Sequence, residues 1–145
     1  AIPGATASTY KVQKADAGAT IAVRVTAAKA GYTTAVRTSG STAKVPFLKL
    51  TAGKATVSGK AKVGRTLKAG KGKWKPSGIS FSYQWFVGGR LVAGATKSSY
   101  RPVAADRGRT IKVAITGSKV GYKTVTKTPK STTFVTRPST ICPTS

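Results

Sequence analysis

The sequence repeats itself at a fixed spacing of 90 residues. Residues 1–45 return as residues 91–135 without a gap, and close to half of the aligned positions carry the same amino acid. Tyr10 aligns with Tyr100, and Asp16 aligns with Asp106. Solenoid and propeller repeats are shorter, at roughly 20–50 residues. The recurring unit is therefore a small domain, which the chain contains one and a half times.

The repeat divides the chain into four segments. We expect residues 55–135 to be a complete repeat and residues 1–45 to be the C-terminal half of another. Residues 46–54 are interpreted as a linker or an entry strand, and residues 136–145 as a tail. A half repeat leaves a sheet edge and an apolar face uncovered. We expect it to be ordered only when docked, and a missing upstream segment to complete it.

Alternation of apolar and polar residues predicts short β-strands. In residues 110–116, Ile111, Val113 and Ile115 fall on one face of a strand, and Ile21, Val23 and Val25 repeat the pattern in the first copy. The strands expected in the complete repeat are 55–59, 65–74 with a bulge or bend at its glycines, 81–86, 90–93, 98–103, 110–116 and 122–128. Seven short strands separated by turns predict an all-β, immunoglobulin-like antiparallel β-sandwich with Trp85 in its core.

The charge is the second strong constraint on function. Twenty-six Lys and Arg side chains face only two acidic residues, which gives a formal net charge of +24. Such a chain attracts polyanions. Nucleic acid, anionic cell-wall polymers or polysaccharides, and acidic lipid surfaces are all candidates, although the lysines could also simply keep exposed strands soluble. The sequence contains no run of 18 apolar residues, so no membrane-spanning segment is predicted.

The residue inventory argues against an enzyme. The chain has no His and no Glu, and the two acids, Asp16 and Asp106, occupy equivalent positions in different copies. Each precedes a glycine by two residues, which is typical of a turn in which a short acceptor side chain binds nearby backbone N–H groups. We therefore predict no catalytic residue, no metal site and no cofactor.

Seven residues are the candidates for ligand binding. Trp74 lies among lysines, so its indole could stack on a sugar or a base while the ammonium groups bind phosphate; alternatively, Trp74 packs at the edge of the sandwich. A second group lies on or near the last two strands and could form a basic stripe. The candidates are Lys71, Lys73, Trp74, Lys75, Lys112, Lys123 and Lys127.

Several motifs together resemble the tandem Ig-like repeats of secreted actinobacterial proteins. They are Gly59-Lys-Ala-Lys-Val-Gly-Arg-Thr-Leu67, Lys73-Trp74, Tyr83-Gln-Trp85, Gly94-Ala-Thr-Lys-Ser-Ser-Tyr100, Ala105-Asp-Arg-Gly108 and Gly117-Ser-Lys-Val-Gly-Tyr122. In that family the repeats accompany glycoside hydrolases, peptidoglycan amidases and proteases. The resemblance implies a secreted or cell-wall-associated accessory module without catalytic activity, and it implies no agreed ligand.

Three hypotheses for function remain at this point. The first is a module that spaces or anchors a secreted enzyme at an anionic cell wall or polysaccharide through diffuse positive charge. The second is a basic nucleic-acid-binding protein, although no reader motif is present. The third is a structural spacer with no ligand. Cys142 is the sole cysteine; it could pair with a missing segment or a partner, or be an incidental thiol.

Overall fold

The alternating runs fold into short antiparallel strands, as the pattern predicts. The computed structural model describes residues 1–132 and 134–137, and the chain divides into two units. Unit 1 comprises Ala1–Lys49 with Val120–Tyr122, and unit 2 comprises the rest. In unit 1 the strands are β1 (Arg24–Ala27) and β2 (Ala35–Thr38). The predicted tail lies almost entirely outside the described residues, as does Cys142.

Unit 2 contains two antiparallel sheets. One has the strand order β3-β4-β7 and the other β6-β5-β8-β9. The strands are β3 (Thr56–Ser58), β4 (Leu67–Gly70), β5 (Ser80–Val87), β6 (Arg90–Leu91), β7 (Ser99–Tyr100), β8 (Ile111–Ser118) and β9 (Val125–Lys127). The prediction of an all-β fold is confirmed. In the described residues the only helical elements are two 3-10 turns, and no helix could cross a membrane.

Five strands of unit 2 are shorter than the sequence predicts, namely β3, β4, β6, β7 and β9. The strand expected over 98–103 contains only Ser99 and Tyr100. Pro102 lacks an N–H group and cannot extend a hydrogen-bonded ladder, and a 3-10 turn begins at Ala104. The last strand is confined to Val125–Lys127, whereas β8 extends two residues further than expected, to Ser118. The central ladder of the sheet is therefore β5 with β8.

Trp85 lies at the centre of the unit 2 core. It is fully buried, and in the β5–β8 register it stands opposite Val113, which is also fully buried. Its indole N–H donates to the carbonyl of Lys97 at 2.8 Å, and its ring stacks on Tyr100 with a centroid distance of 5.6 Å. Leu67 closes the core from the other sheet. The predicted core position of Trp85 is confirmed.

The turn before β8 is built on Asp106. Its carboxylate accepts the backbone N–H of Val103 at 2.8 Å, which is the turn chemistry expected from the sequence. The same Oδ2 atom also accepts the Tyr100 hydroxyl at 2.8 Å, a contact that the sequence analysis did not anticipate. Asp106 is only 7% exposed. A buried carboxylate requires such donors, because desolvation without them is costly.

Unit 1 repeats several of the hydrogen bonds found in this half of unit 2. Asp16 accepts the Tyr10 hydroxyl at 2.8 Å and the Gln13 N–H at 2.7 Å. The Ile21 N–H donates to the Thr42 hydroxyl at 3.0 Å, and the Ile111 N–H donates to the Thr132 hydroxyl at the same distance. The repeat seen in the sequence is therefore also a repeat of local structure.

Burial, in contrast, differs sharply between the two units. Val113 and Ile115 on the inner face of β8 are fully buried, whereas their unit 1 counterparts Val23 and Val25 are 52% and 60% exposed. The local backbone of unit 1 thus has the repeat conformation without a covered core. This agrees with the expectation that a half repeat leaves an apolar face open.

We predict that Tyr100→Phe lowers the free energy of unfolding of unit 2 by about 1–3 kcal/mol, because the buried Asp106 carboxylate loses a hydroxyl donor. The matched control is Tyr10→Phe, which removes the equivalent bond in unit 1. Both tryptophans lie in unit 2, so denaturant unfolding followed by their fluorescence reports on that unit. Equal effects of the two variants would contradict the prediction.

A pH dependence follows from the same contact. Burial, then the hydrogen bond to Asp106 and its charge, raise the pKa of Tyr100 from 10.0 to about 12. Because the folded state favours the neutral hydroxyl, this stabilisation is complete below pH 10 and is lost as the pH rises towards 12. The measurement is the difference in unfolding free energy between wild type and Tyr100→Phe, which isolates the contribution of this hydroxyl. That difference should shrink above pH 10; a constant difference would contradict the prediction.

Candidate functional site

The strongest cluster of cations lies in the connection between β4 and β5. This connection carries Lys71, Lys73 and Lys75, all exposed, around the half-buried Trp74. A second segment runs beside it. Thr51 and Lys75 exchange two backbone hydrogen bonds, with N···O distances of 2.9 and 3.0 Å. The predicted linker or entry strand therefore pairs, at its end, with the lysine-rich connection.

Close backbone approach brings a fourth lysine into this cluster. A Cβ atom on Gly53 would lie 2.6 Å from the Lys71 carbonyl oxygen, and one on Gly72 would lie 2.7 Å from the backbone nitrogen of Lys54. Only glycine permits this contact. Lys54, which the sequence analysis missed, thus joins the other three lysines. The sequence feature that indicates this contact is the pair of glycines, Gly53 and Gly72, but these residues are far apart in the sequence. We call Lys54, Lys71, Lys73 and Lys75 the lysine cluster.

Trp74 anchors this connection to the end of the sandwich. Its ring meets Phe81 edge-on at a centroid distance of 5.3 Å, and its indole N–H donates to the Lys71 carbonyl at 2.7 Å. The Lys71 ammonium lies 4.1 Å from the centroid of the Phe81 ring. Of the two alternatives for Trp74, the structure contains the packing contact, which the ring makes with Phe81. The indole N–H group is already bonded to the Lys71 carbonyl. One side of the ring remains partly accessible.

A shallow depression lies beside Trp74. Its volume is about 280 Å³, and it is lined by Lys71, Trp74, Pro76, Ile79 and Phe81 among others. The Lys119 ammonium donates to the carbonyl of Ser77 at 2.7 Å in the same loop. A shallow apolar floor with a cationic edge can accept a flat group, but it does not enclose one.

The three candidates on the last strands do not form one stripe. Lys112 is opposite Phe86 on the outer face of the sheet, the face on which the Thr116 and Thr126 hydroxyls meet at 2.8 Å. Lys127 is opposite Ile115 and therefore belongs to the other face. Lys123 lies between β8 and β9 and is exposed. These lysines add charge to the surface but not a common site.

The acidic side chains are too few to balance the cations of this protein. The chain has only two acidic side chains, and both Asp16 and Asp106 accept bonds within their own turns. In residues 1–132 and 134–137, no group of three or more His, Cys, Asp or Glu could hold a metal ion. The chemistry that the described surface offers is attraction of anions, combined with one aromatic edge.

Comparisons of the chain with models of known families, with curated proteins and with solved structures found no match. The function is therefore inferred from the geometry and charge of the chain itself.

We predict that the lysine cluster contributes more to polyanion binding than the same number of lysines elsewhere. The test variant replaces Lys54, Lys71, Lys73 and Lys75 with Gln. The matched control replaces the exposed Lys60, Lys68, Lys97 and Lys130. Each phosphate contact contributes roughly 0.7–0.9 to the slope of log affinity against log salt. On immobilised polyphosphate, the cluster variant should elute at lower salt than the control. If the two variants elute at the same salt concentration, only the total charge of the protein determines binding, and the prediction is wrong.

We predict that Gly117→Ala displaces Trp74. A Cβ atom at this position of β8 would lie 2.7 Å from the indole Cζ3 atom, so the ring must move. Overpacking of this kind costs about 1–3 kcal/mol. The measurement is denaturant unfolding together with acrylamide quenching of the Trp74 emission in a Trp85→Phe background. Unchanged quenching would contradict the packing of Trp74 on β8.

Proposed function

We propose that this protein is a non-catalytic, extracellular Ig-like accessory module that holds or spaces a secreted enzyme at an anionic cell wall or polysaccharide. The attraction is diffuse and electrostatic, and the lysine cluster is its densest point. The observation that carries the proposal is the excess of 26 cationic over two acidic side chains, both of which are used inside turns. Diffuse attraction needs no enclosed pocket, in keeping with the shallow depression beside Trp74.

Strand order supports the immunoglobulin-like part of the proposal. In unit 2 the first, second and fifth strands share one sheet, and the third, fourth, sixth and seventh lie in the other. Immunoglobulin-like sandwiches of the constant type also separate the first, second and fifth strands from the third, sixth and seventh, and they place a core tryptophan on the third strand. The fourth strand differs, because it joins the first sheet in that type and the second sheet here. Trp85 lies on β5, the third strand of unit 2. A fold of this class presents loops at both ends of the sandwich, and the loop between β4 and β5 carries three members of the lysine cluster, Lys71, Lys73 and Lys75.

The test is co-sedimentation of the full chain with purified Gram-positive cell walls, native and stripped of their anionic polymers. We expect pelleting with native walls only, which persists at physiological salt and declines steeply above it. If four lysines contact phosphates, affinity should fall roughly 50- to 150-fold between 50 and 200 mM salt, by analogy with nucleic-acid backbones.

The alternatives give different outcomes in the same experiment. A spacer without a ligand pellets with neither wall preparation. Equal pelleting with stripped walls at high salt indicates an uncharged glycan site and contradicts the electrostatic anchor. A nucleic-acid-binding protein would be displaced from native walls far more effectively by duplex DNA than by released wall polymer of the same phosphate concentration.

A further inference from the structure

Unit 1 exposes the residues that form the core of unit 2. Ile2, Val12, Val23 and Val25 are 40–60% exposed. Their counterparts 90 positions later are Val92, Pro102, Val113 and Ile115, of which the last three are buried and Val92 is packed against the core. The same backbone half thus occurs once with its apolar face covered and once without. We call the uncovered surface, formed by Ile2, Val12, Val23 and Val25, the open face.

The edge of the sheet beside this face is open as well. In unit 2, β8 lies between β5 and β9, whereas in unit 1 the equivalent strand β1 pairs with β2 alone among the described residues. The β1–β2 register, with Thr26 opposite Val36, is that of β8–β9, with Thr116 opposite Thr126. The edge that remains unpaired is therefore the one to which β5 binds in unit 2.

Unit 2 shows what kind of segment covers such a face. Its front half, β3–β5, supplies a strand that pairs with β8 over its whole length, from Ser80 opposite Ser118 to Val87 opposite Ile111. It also supplies Trp85 and Leu67, both fully buried. The cover combines a backbone ladder with a large aromatic side chain, the two elements that stabilise strand addition to a sheet.

A second copy of this chain cannot supply the cover by exchange of strands. Residues 1–145 contain two back halves, residues 1–45 and 91–135, but one front half, residues 55–90. A front half that moved to the unit 1 of another copy would uncover its own unit 2. Any closed exchange among copies therefore leaves one back half per chain exposed.

We propose that the open face is a docking site for the front half of an Ig-like repeat that lies outside residues 1–145. The occupant is a three-stranded segment with the pattern of residues 55–87. Its last strand adds to the open edge of β1 in the β5–β8 register, which places the residue equivalent to Trp85 opposite Val23. This proposal is independent of the proposed wall attachment, because it depends on apolar burial and strand pairing rather than on charge.

The first experiment adds a synthetic peptide of residues 55–90 to the full chain and follows amide hydrogen exchange of residues 21–27. At a peptide concentration of 100 times its Kd, exchange should slow about 100-fold. A peptide carrying Trp85→Lys should have no effect, because the ammonium group would be buried without a partner. The Trp85→Lys peptide retains the backbone ladder and therefore controls for non-specific pairing at the edge.

Two variants of the full chain locate the contact. Val25→Lys places a charge on the open face, whereas the matched control Thr26→Lys places the same charge on the opposite face of β1. The peptide should slow amide hydrogen exchange of residues 21–27 in the Thr26→Lys control but not in the Val25→Lys variant. Tryptophan fluorescence, which reports on unit 2, should be unchanged in both variants.

A fusion removes the entropic disadvantage of a free peptide. Residues 46–90 are joined directly to residue 1, which restores the connectivity that precedes residue 91. In this fusion we expect the amides of β1 to become as protected from hydrogen exchange as those of β8. The Val25→Lys substitution should abolish that protection. If neither peptide nor fusion protects β1, the proposal is wrong. It is also wrong if the chain alone self-associates and Val25→Lys abolishes that association, because the occupant is then a second copy.

Discussion

Burial of the inner face of β8 is the interaction on which the ordered core depends. Trp85 opposite Val113, with Ile111 and Ile115 on either side, joins the two halves of the repeat through a ladder and through apolar contact at once. Burial of such side chains contributes about 1.5–3 kcal/mol each. Unit 1 shows the same strand without this cover. The difference between the two units is therefore a difference in long-range packing, since their local sequences and backbones agree.

Local hydrogen bonds, in contrast, do not require the core. The turn built on Asp16 forms the same hydroxyl and backbone bonds as the turn built on Asp106, although Asp16 is only half-buried and Asp106 is buried. A carboxylate that follows an extended residue captures nearby N–H groups whether or not water is excluded. These turns fix where the chain reverses, and the apolar alternation then decides which face must be covered.

The sequence was sufficient to predict what depends on short-range patterns. Period-two alternation predicted β8 and its buried face, the Asp-x-Gly spacing predicted the turns, and the placement of Trp85 in the third strand predicted its burial. Other features depend on contacts between distant segments. Lys54 joins the lysine cluster because Gly53 and Gly72 let two backbones approach, and Lys127 falls on the face opposite Lys112 because of the β8–β9 register. Neither the approach nor the register can be derived from one segment alone.

Charge and fold are separable in this protein. The core of unit 2 is built from apolar side chains and two sheets, and its single buried ionisable group, in the described part of the chain, is the turn residue Asp106. The cations lie outside it, and the two carboxylates that could pair with them are occupied by tyrosine hydroxyls. Lysines on such a surface can be exchanged without loss of the core, while each exchange changes attraction to polyanions. Substitutions in the lysine cluster should therefore alter the proposed electrostatic attachment and leave the proposed docking at the open face of unit 1 unchanged.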